Sequence, residues 1–161
     1  FFTSAFIYEV MEIRQASSGD VPVVKSIVET TIRTVYPHYY PAGAVQLFLD
    51  HHCEEHIAAD LFSGRVFLLY EANAAVGTVT LNGNEICRLF VLPELQRKGY
   101  GTALLDFAES EVLRYTDTIC LDASLPGKQL YLKRGYRDVA YGMHPADNGD
   151  YLCYDVMLKK G

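Results

Sequence analysis

The sequence predicts a mixed α/β fold, with a mostly antiparallel sheet and one central parallel strand pair. Residues 65–71 and 75–82 are apolar and β-branched runs that flank Ala72-Asn73-Ala74 as the arms of a hairpin do. Residues 86–92 are an almost continuous apolar run of strand length, stopped by Pro93. A loop with two glycines follows, then Ala103, Leu104, Leu105, Phe107, Ala108, Val112 and Leu113 recur at helical spacing before a further strand-like run at 118–124. That strand–helix–strand crossover sets its two strands parallel. Residues 136–141 and 151–158, joined by a loop that includes the polar stretch HPADNGD, close the chain as a last strand pair.

In chain order, residues 1–10 are apolar, carry no basic residue and lack an initiator Met, which fits an expression or truncation remnant better than a signal peptide. Residues 11–161 are expected to form one domain. Residues 12–16 read as a short strand, and Ser17-Ser18-Gly19-Asp20 offers an N-cap with a carboxylate three residues on. A helix is expected to about residue 35, with Val24, Ile27, Val28, Ile32 and Val35 as its core-facing stripe. Two prolines break it in Tyr36-Pro37-His38-Tyr39-Tyr40-Pro41, whose aromatic density suits either a packed support or a wall of an acceptor site. Residues 42–61 read as one broken helix or two short ones. Within them His52 and His56 have a metal-like spacing, but no H-E-x-x-H and no third ligand accompany it, so no metal is expected. Asn82-Gly83-Asn84 turns the hairpin into the central strand, and residues 126–134 form a short helix with Gly135 as its C-cap.

The strand, glycine loop and helix from Glu85 to Tyr115 describe an anion site. The first N–H groups of a helix lack internal partners, the dipole is positive at that end, and glycines let a phosphate approach the backbone. Neither G-x-x-x-x-G-K-[ST] nor G-x-G-x-x-G is present. What is present is Gln96-Arg97-Lys98-Gly99-Tyr100-Gly101-Thr102. It resembles the pyrophosphate loop of the GNAT superfamily of N-acetyltransferases, [QR]-x-x-G-x-[GA], with Gln96, Gly99 and Gly101 in the defining positions. Tyr131-Leu132-Lys133-Arg134-Gly135-Tyr136 resembles the Y-x-K-x-G-[FY] signature of the same family. The resemblance covers about residues 11–160. Two positions depart from it, Ser124 and Gly127 standing where the family often has Asn and Ala.

The resemblance implies the GNAT fold, with helices on both faces of the sheet, and acetyl-CoA as cosubstrate. It implies contacts to that molecule from Leu89, Val91, Gln96, Arg97, Lys98, Gly99, Tyr100, Gly101, Thr102, Ser124 and Tyr131, with the pantetheine arm between the splayed fourth and fifth strands. Leu121 and Ala123 are further candidates for lining it. A backbone N–H near Val91 would stabilise the oxyanion. Arg97, Lys98, Lys128, Lys133 and Arg134 are cations available to the remaining phosphate. An alkylammonium is only about 0.04% neutral at pH 7, so a base must act on it. By resemblance to some histone-type members, whose glutamate stands at a similar spacing from the loop, Glu85 is a candidate, with a relayed water or a histidine as rivals. The departing thiolate needs a proton, and the Tyr131 phenol is placed by resemblance to give it; otherwise Tyr131 is a core tyrosine. The expected activity is transfer of the acetyl group of acetyl-CoA to a primary amine of a small molecule or peptide. The alternative is a non-catalytic acyl-CoA-sensing module of the same fold.

The composition bounds the partners. With 161 residues, half of them hydrophobic, and a net charge of −6, the chain suits one globular domain and not a general nucleic-acid binder. No apolar run is long enough for a membrane span. Cys53, Cys87, Cys120 and Cys153 are scattered and form no C-x-x-C, which points to a reduced, cytoplasmic setting. A homodimer is compatible with all of this. Charge is unevenly spread: residues 15–85 hold three basic and eight acidic side chains, residues 86–137 eight basic and six acidic. The cofactor motifs lie in the basic part, so a cationic acceptor drawn to the acidic part is expected.

Overall fold

The protein is described by a computed structural model over residues 11–161; the putting aside of residues 1–10 as a remnant concerns a segment outside the described residues. Seven strands form one sheet: β1 (Met11–Gln15), β2 (Val66–Glu71), β3 (Ala74–Asn82), β4 (Glu85–Val91), β5 (Thr118–Ala123), β6 (Arg137–Pro145) and β7 (Tyr151–Lys160). Their spatial order is β1-β2-β3-β4-β5-β7-β6, and every neighbouring pair is antiparallel except β4–β5. The helices are α1 (Val21–Val35), α2 (Ala42–His51), α3 (Glu54–Phe62), α4 (Tyr100–Val112) and α5 (Lys128–Lys133). No described helix is long and apolar enough to cross a membrane.

The local signals act as their chemistry requires. The β2–β3 hairpin closes through Ala72 and Asn73, both left-handed at φ 47° and 64°, as a two-residue type I′ turn demands. The Ser17 N–H donates to Asp20 Oδ2 at 2.9 Å ahead of α1. Gly135 ends the α5 segment at φ 92°. The helical region after Pro41 breaks at His52-Cys53, so His52 and His56 do not share one helix face. Among the described residues no group of three or more His, Cys, Asp or Glu side chains gathers as a metal site.

Successive strand residues point to opposite faces, so each face of the sheet gathers its own core. On one, α4 sets Leu104, Leu105, Ala108 and Val112 against Leu69, Val79, Ile119 and Met157. On the other, α1 and α3 bring Ile27, Ile32, Ile57 and Leu61 onto Val66, Leu68 and Phe90. Two irregularities position the site. The β4–β5 ladder consists of one register pair, Glu85 with Cys120, beside a bond from the Cys120 N–H to the Asn84 carbonyl, after which the strands part. In β4 the register against β3 slips between Thr78 and Thr80, and Arg88 takes a left-handed φ of 42° at this bulge.

Glu109 ties α4 to the end of the chain. It is 8% exposed and accepts from Arg134 Nη2 at 2.7 Å, Lys159 Nζ at 3.2 Å and the Tyr136 hydroxyl at 3.0 Å. Burial by itself raises the Glu109 pKa, but the bonds from Arg134, Tyr136 and Lys159 outweigh it and hold the carboxyl below its ordinary range. A pKa lower in the folded than in the unfolded state contributes stability at neutral pH, and that contribution is lost as pH falls from the ordinary glutamate range through the folded value. Glu109→Ala also leaves Lys159 and the Tyr136 hydroxyl without their carboxylate and Arg134 with Asp106 alone, so it should cost about 3 kcal/mol in urea unfolding at pH 7. A loss below about 0.5 kcal/mol would remove this cluster from the account of stability.

Candidate active site

Two cavities meet where β4 and β5 part. The first, a groove of about 630 Å³, is lined by Gln96, Arg97, Gly99, Gly101 and Thr102, by Leu89 and Val91 of β4, and by Ser124, Tyr131 and Lys133. The loop at its head has left-handed backbone at Arg97 (φ 62°) and Gly99 (φ 92°), which turns the chain into α4. The Ala103 N–H bonds to the Gly99 carbonyl, so the N–H groups ahead of it lack partners one turn back. A Cβ at Gly99 would meet nothing within 4 Å, so its φ is what favours glycine there. At Gly101 a Cβ would sit 3.6 Å from Leu130 Cδ2, an ordinary contact; the glycine keeps the groove side open. Gln96 Nε2–H donates to the Val91 carbonyl at 3.1 Å, tying the loop to β4. This unpaired helix end, with Arg97 and Lys133 alongside, suits the diphosphate of a coenzyme A molecule.

Several expected contacts are redistributed. Tyr100 packs against the α4 core, and neither it nor Lys98 lines the groove. Lys128 bonds to Asp155 at 2.7 Å and Asp138 at 3.1 Å, and Arg134 to Glu109 and Asp106, so these two cations are held by carboxylates. Leu121 and Ala123 are buried in the core instead of lining either cavity.

The second cavity, of about 600 Å³, is bordered by α2 and by β4, β5 and β7. Glu85, Arg88 and Asp122 line it together with His51, His52, His56 and His144. Both cavities share Tyr36, Leu89, Phe90, Ser124 and Tyr131. At that junction the Tyr36 hydroxyl donates to Ser124 Oγ at 3.3 Å, which leaves the serine's own proton for a ligand. Tyr131 is 8% exposed and leans on the start of α5, where a Cβ at Gly127 would come within 3.0 Å of its ring. Gly127 thus stands in place of the family's Ala beside a closely approaching ring. Desolvation pushes the Tyr131 phenol up to about 12, so it is protonated at neutral pH.

A family profile described as an acetyltransferase (GNAT) domain matches residues 36–149, more than half of the chain. The protein belongs to the GNAT acetyltransferase family. Its fold is shared by a GCN5-related N-acetyltransferase from Rhodopseudomonas palustris, with a TM-score of 0.83 at 24% identity over 96% of this chain and 99% of that one. It is also shared by the PaiA N-acetyltransferase of Thermoplasma acidophilum in complex with coenzyme A, with a TM-score of 0.70 at 18% identity over 94% and 99%. A third is the ribosomal-protein-S18-alanine N-acetyltransferase of Escherichia coli, with a TM-score of 0.69 at 18% identity over 94% of each chain. No curated protein matches at a significant level. Family and fold together support acyl transfer from a coenzyme A thioester.

In this GNAT domain the aromatic loop is a packed support that also reaches the cavities. Tyr36 and Tyr40 are buried against Phe48, and the Tyr40 hydroxyl accepts from the Leu125 N–H at 2.7 Å, while Tyr36 also lines both cavities. Glu85 stands on the second cavity, and burial first, then the charge of Asp122, raises its pKa. Burial likewise raises Asp122. Burial first, then the nearby Glu85, pushes the Cys87 thiol on the same wall up to about 12, so it is protonated at neutral pH. Sequence reasoning did not single out Arg88, Asp60 and Asp122. The available signal was a lone arginine inside an apolar strand run, since a charged side chain there needs a buried partner. Arg88 finds Asp60, at 2.8 Å.

Proposed function

We propose that this GNAT protein is an acetyl-CoA-dependent N-acetyltransferase whose acceptor is a primary amine of a small molecule or peptide, entering as an ammonium. The observation that carries this reading is the pair of cavities joined at Tyr131 and Ser124, one suited to coenzyme A and the other lined by carboxylates. A purely sensing module would use the first and leave the second without a purpose. Acetyl-CoA supplies the activated acetyl thioester. Glu85, directly or through one water, takes a proton from the ammonium; Asp122 supports the positive end electrostatically. Backbone N–H groups near Val91 face the acetyl oxygen. The amine so freed attacks and the carbon–nitrogen bond forms; as the carbon–sulfur bond then breaks, Tyr131 gives its proton to the sulfur, and the second proton that the nitrogen sheds on becoming an amide restores the phenol. The four free thiols fit a reducing, cytoplasmic setting for this activity.

Thiol release from acetyl-CoA in the presence of a panel of amines and peptides tests the reading; coenzyme A binding with no amine-dependent release would favour the sensing module. Because burial and Asp122 raise the Glu85 pKa, its basic form accumulates only above the ordinary glutamate range, and the acidic limb of kcat/KM should lie there. Glu85→Gln should abolish that limb. If the profile is unaltered, Glu85 has no part in proton transfer.

A further inference from the structure

The second cavity has a wall of hydrogen-bond donors that the proton transfers leave unused. Arg88 is 5% exposed at its side chain and is held by Nη1 to Asp60 Oδ2 at 2.8 Å and to Thr80 Oγ1 at 3.1 Å. Its Nε–H points to His52 Nδ1 at 3.3 Å. An imidazole that accepts at Nδ1 carries its proton on Nε2. Burial first, then the charge of Arg88 and the neighbours His51 and His56, pushes the His52 pKa down to about 3, so the ring stays neutral in this tautomer. Among the described residues no fully buried side-chain nitrogen or oxygen lacks a partner. Arg88 Nη2 and His52 Nε2 have none there, so both keep surface, and both side chains line the cavity. Asp60 is shared between two guanidinium groups, Arg88 at 2.8 Å and the more exposed Arg65 at 3.8 Å.

We infer that Arg88 and His52 form a subsite for a carboxylate on the acceptor, which makes the acceptor an amino-carboxylate with its ammonium toward Glu85 and Asp122. Two N–H donors, one of them on a guanidinium, match the two oxygens and the charge of a carboxylate. The ring that accepts from Arg88 at Nδ1 keeps its N–H at Nε2 as the second donor. Arg88 has left-handed backbone at the β4 bulge, and bonds to Asp60 and Thr80 place its guanidinium. Asp60 and Thr80 are therefore positioning residues for the subsite. This inference rests on the acetyltransferase reading above.

Matched acceptors separate the two. kcat/KM is measured with 4-aminobutyrate against n-butylamine, β-alanine against n-propylamine, and glycylglycine against its C-terminal amide. The carboxylated member should be preferred ten-fold or more in at least one pair. His52→Phe should bring that ratio close to one, and His52→Gln, which keeps a side-chain N–H donor, should restore part of it; thermal melting of both variants checks that they fold. Equal kcat/KM within every pair, or an undiminished ratio in folded His52→Phe, overturns the carboxylate subsite while leaving acetyl transfer in place. Coenzyme A binding with no turnover of any of the six acceptors overturns the inference together with the reading on which it rests.

Discussion

Tyr131→Phe should lower kcat by about 10² to 10⁴-fold with little change in coenzyme A affinity. The phenol stands at the junction of the two cavities, and no hydrogen bond from its hydroxyl to another described residue holds it in place. Deleting the oxygen therefore removes a proton donor without stranding a buried partner. The ring, which packs edge-on to Tyr136 at 5.7 Å, is retained. Stability should consequently stay within about 0.5 kcal/mol of the parent. A structural tyrosine behaves in the reverse way, with activity per folded molecule preserved and the melting temperature lowered. Steady-state kinetics alongside thermal melting distinguish the two.

Gly101→Val should raise the Kd for coenzyme A by roughly 100-fold or more, equivalent to about 2.7 kcal/mol. The fold has room for the first carbon, 3.6 Å from Leu130 Cδ2, and valine is no worse than glycine inside a helix. The branched methyls fill the space through which a diphosphate reaches the first turn of α4. Gly101→Ala should have a much smaller effect, because the motif that this loop resembles accepts alanine at the position. Isothermal titration with coenzyme A reads both variants, and unchanged affinity in a folded Gly101→Val protein would show that the loop does not hold the diphosphate.

The parts of the site that were legible in the sequence are those encoded over a few residues. Gln96, Gly99 and Gly101 announce a loop because they fall within one short motif, in which the left-handed backbone at Gly99 favours glycine. Glu85 and Tyr131 follow from their positions relative to recognisable motifs, and the structure brings both to one cavity. The cations were less legible. Arg97, Lys128, Lys133 and Arg134 look alike in the sequence, yet Lys128 and Arg134 are taken by Asp155 and Glu109, 27 and 25 residues away.

By itself the sequence determined the mixed α/β class, the parallel crossover, the caps and turns, and the family, since each depends on periodicity or on motifs read within short stretches. Tertiary structure decided the rest. It places β7 between β5 and β6, a pairing that sets Thr118 opposite Lys160 and that only the packing of the two sheet faces can select. It parts β4 from β5 after a single register pair, which opens the site. It also turns a lone arginine of the central strand onto Asp60 and His52, making a neutral imidazole of what the sequence offers as a possible metal ligand. The physical reason is common to all three: the state of a buried charge or an unpaired strand edge is set by whichever group long-range packing brings against it, and local pattern carries no record of that partner.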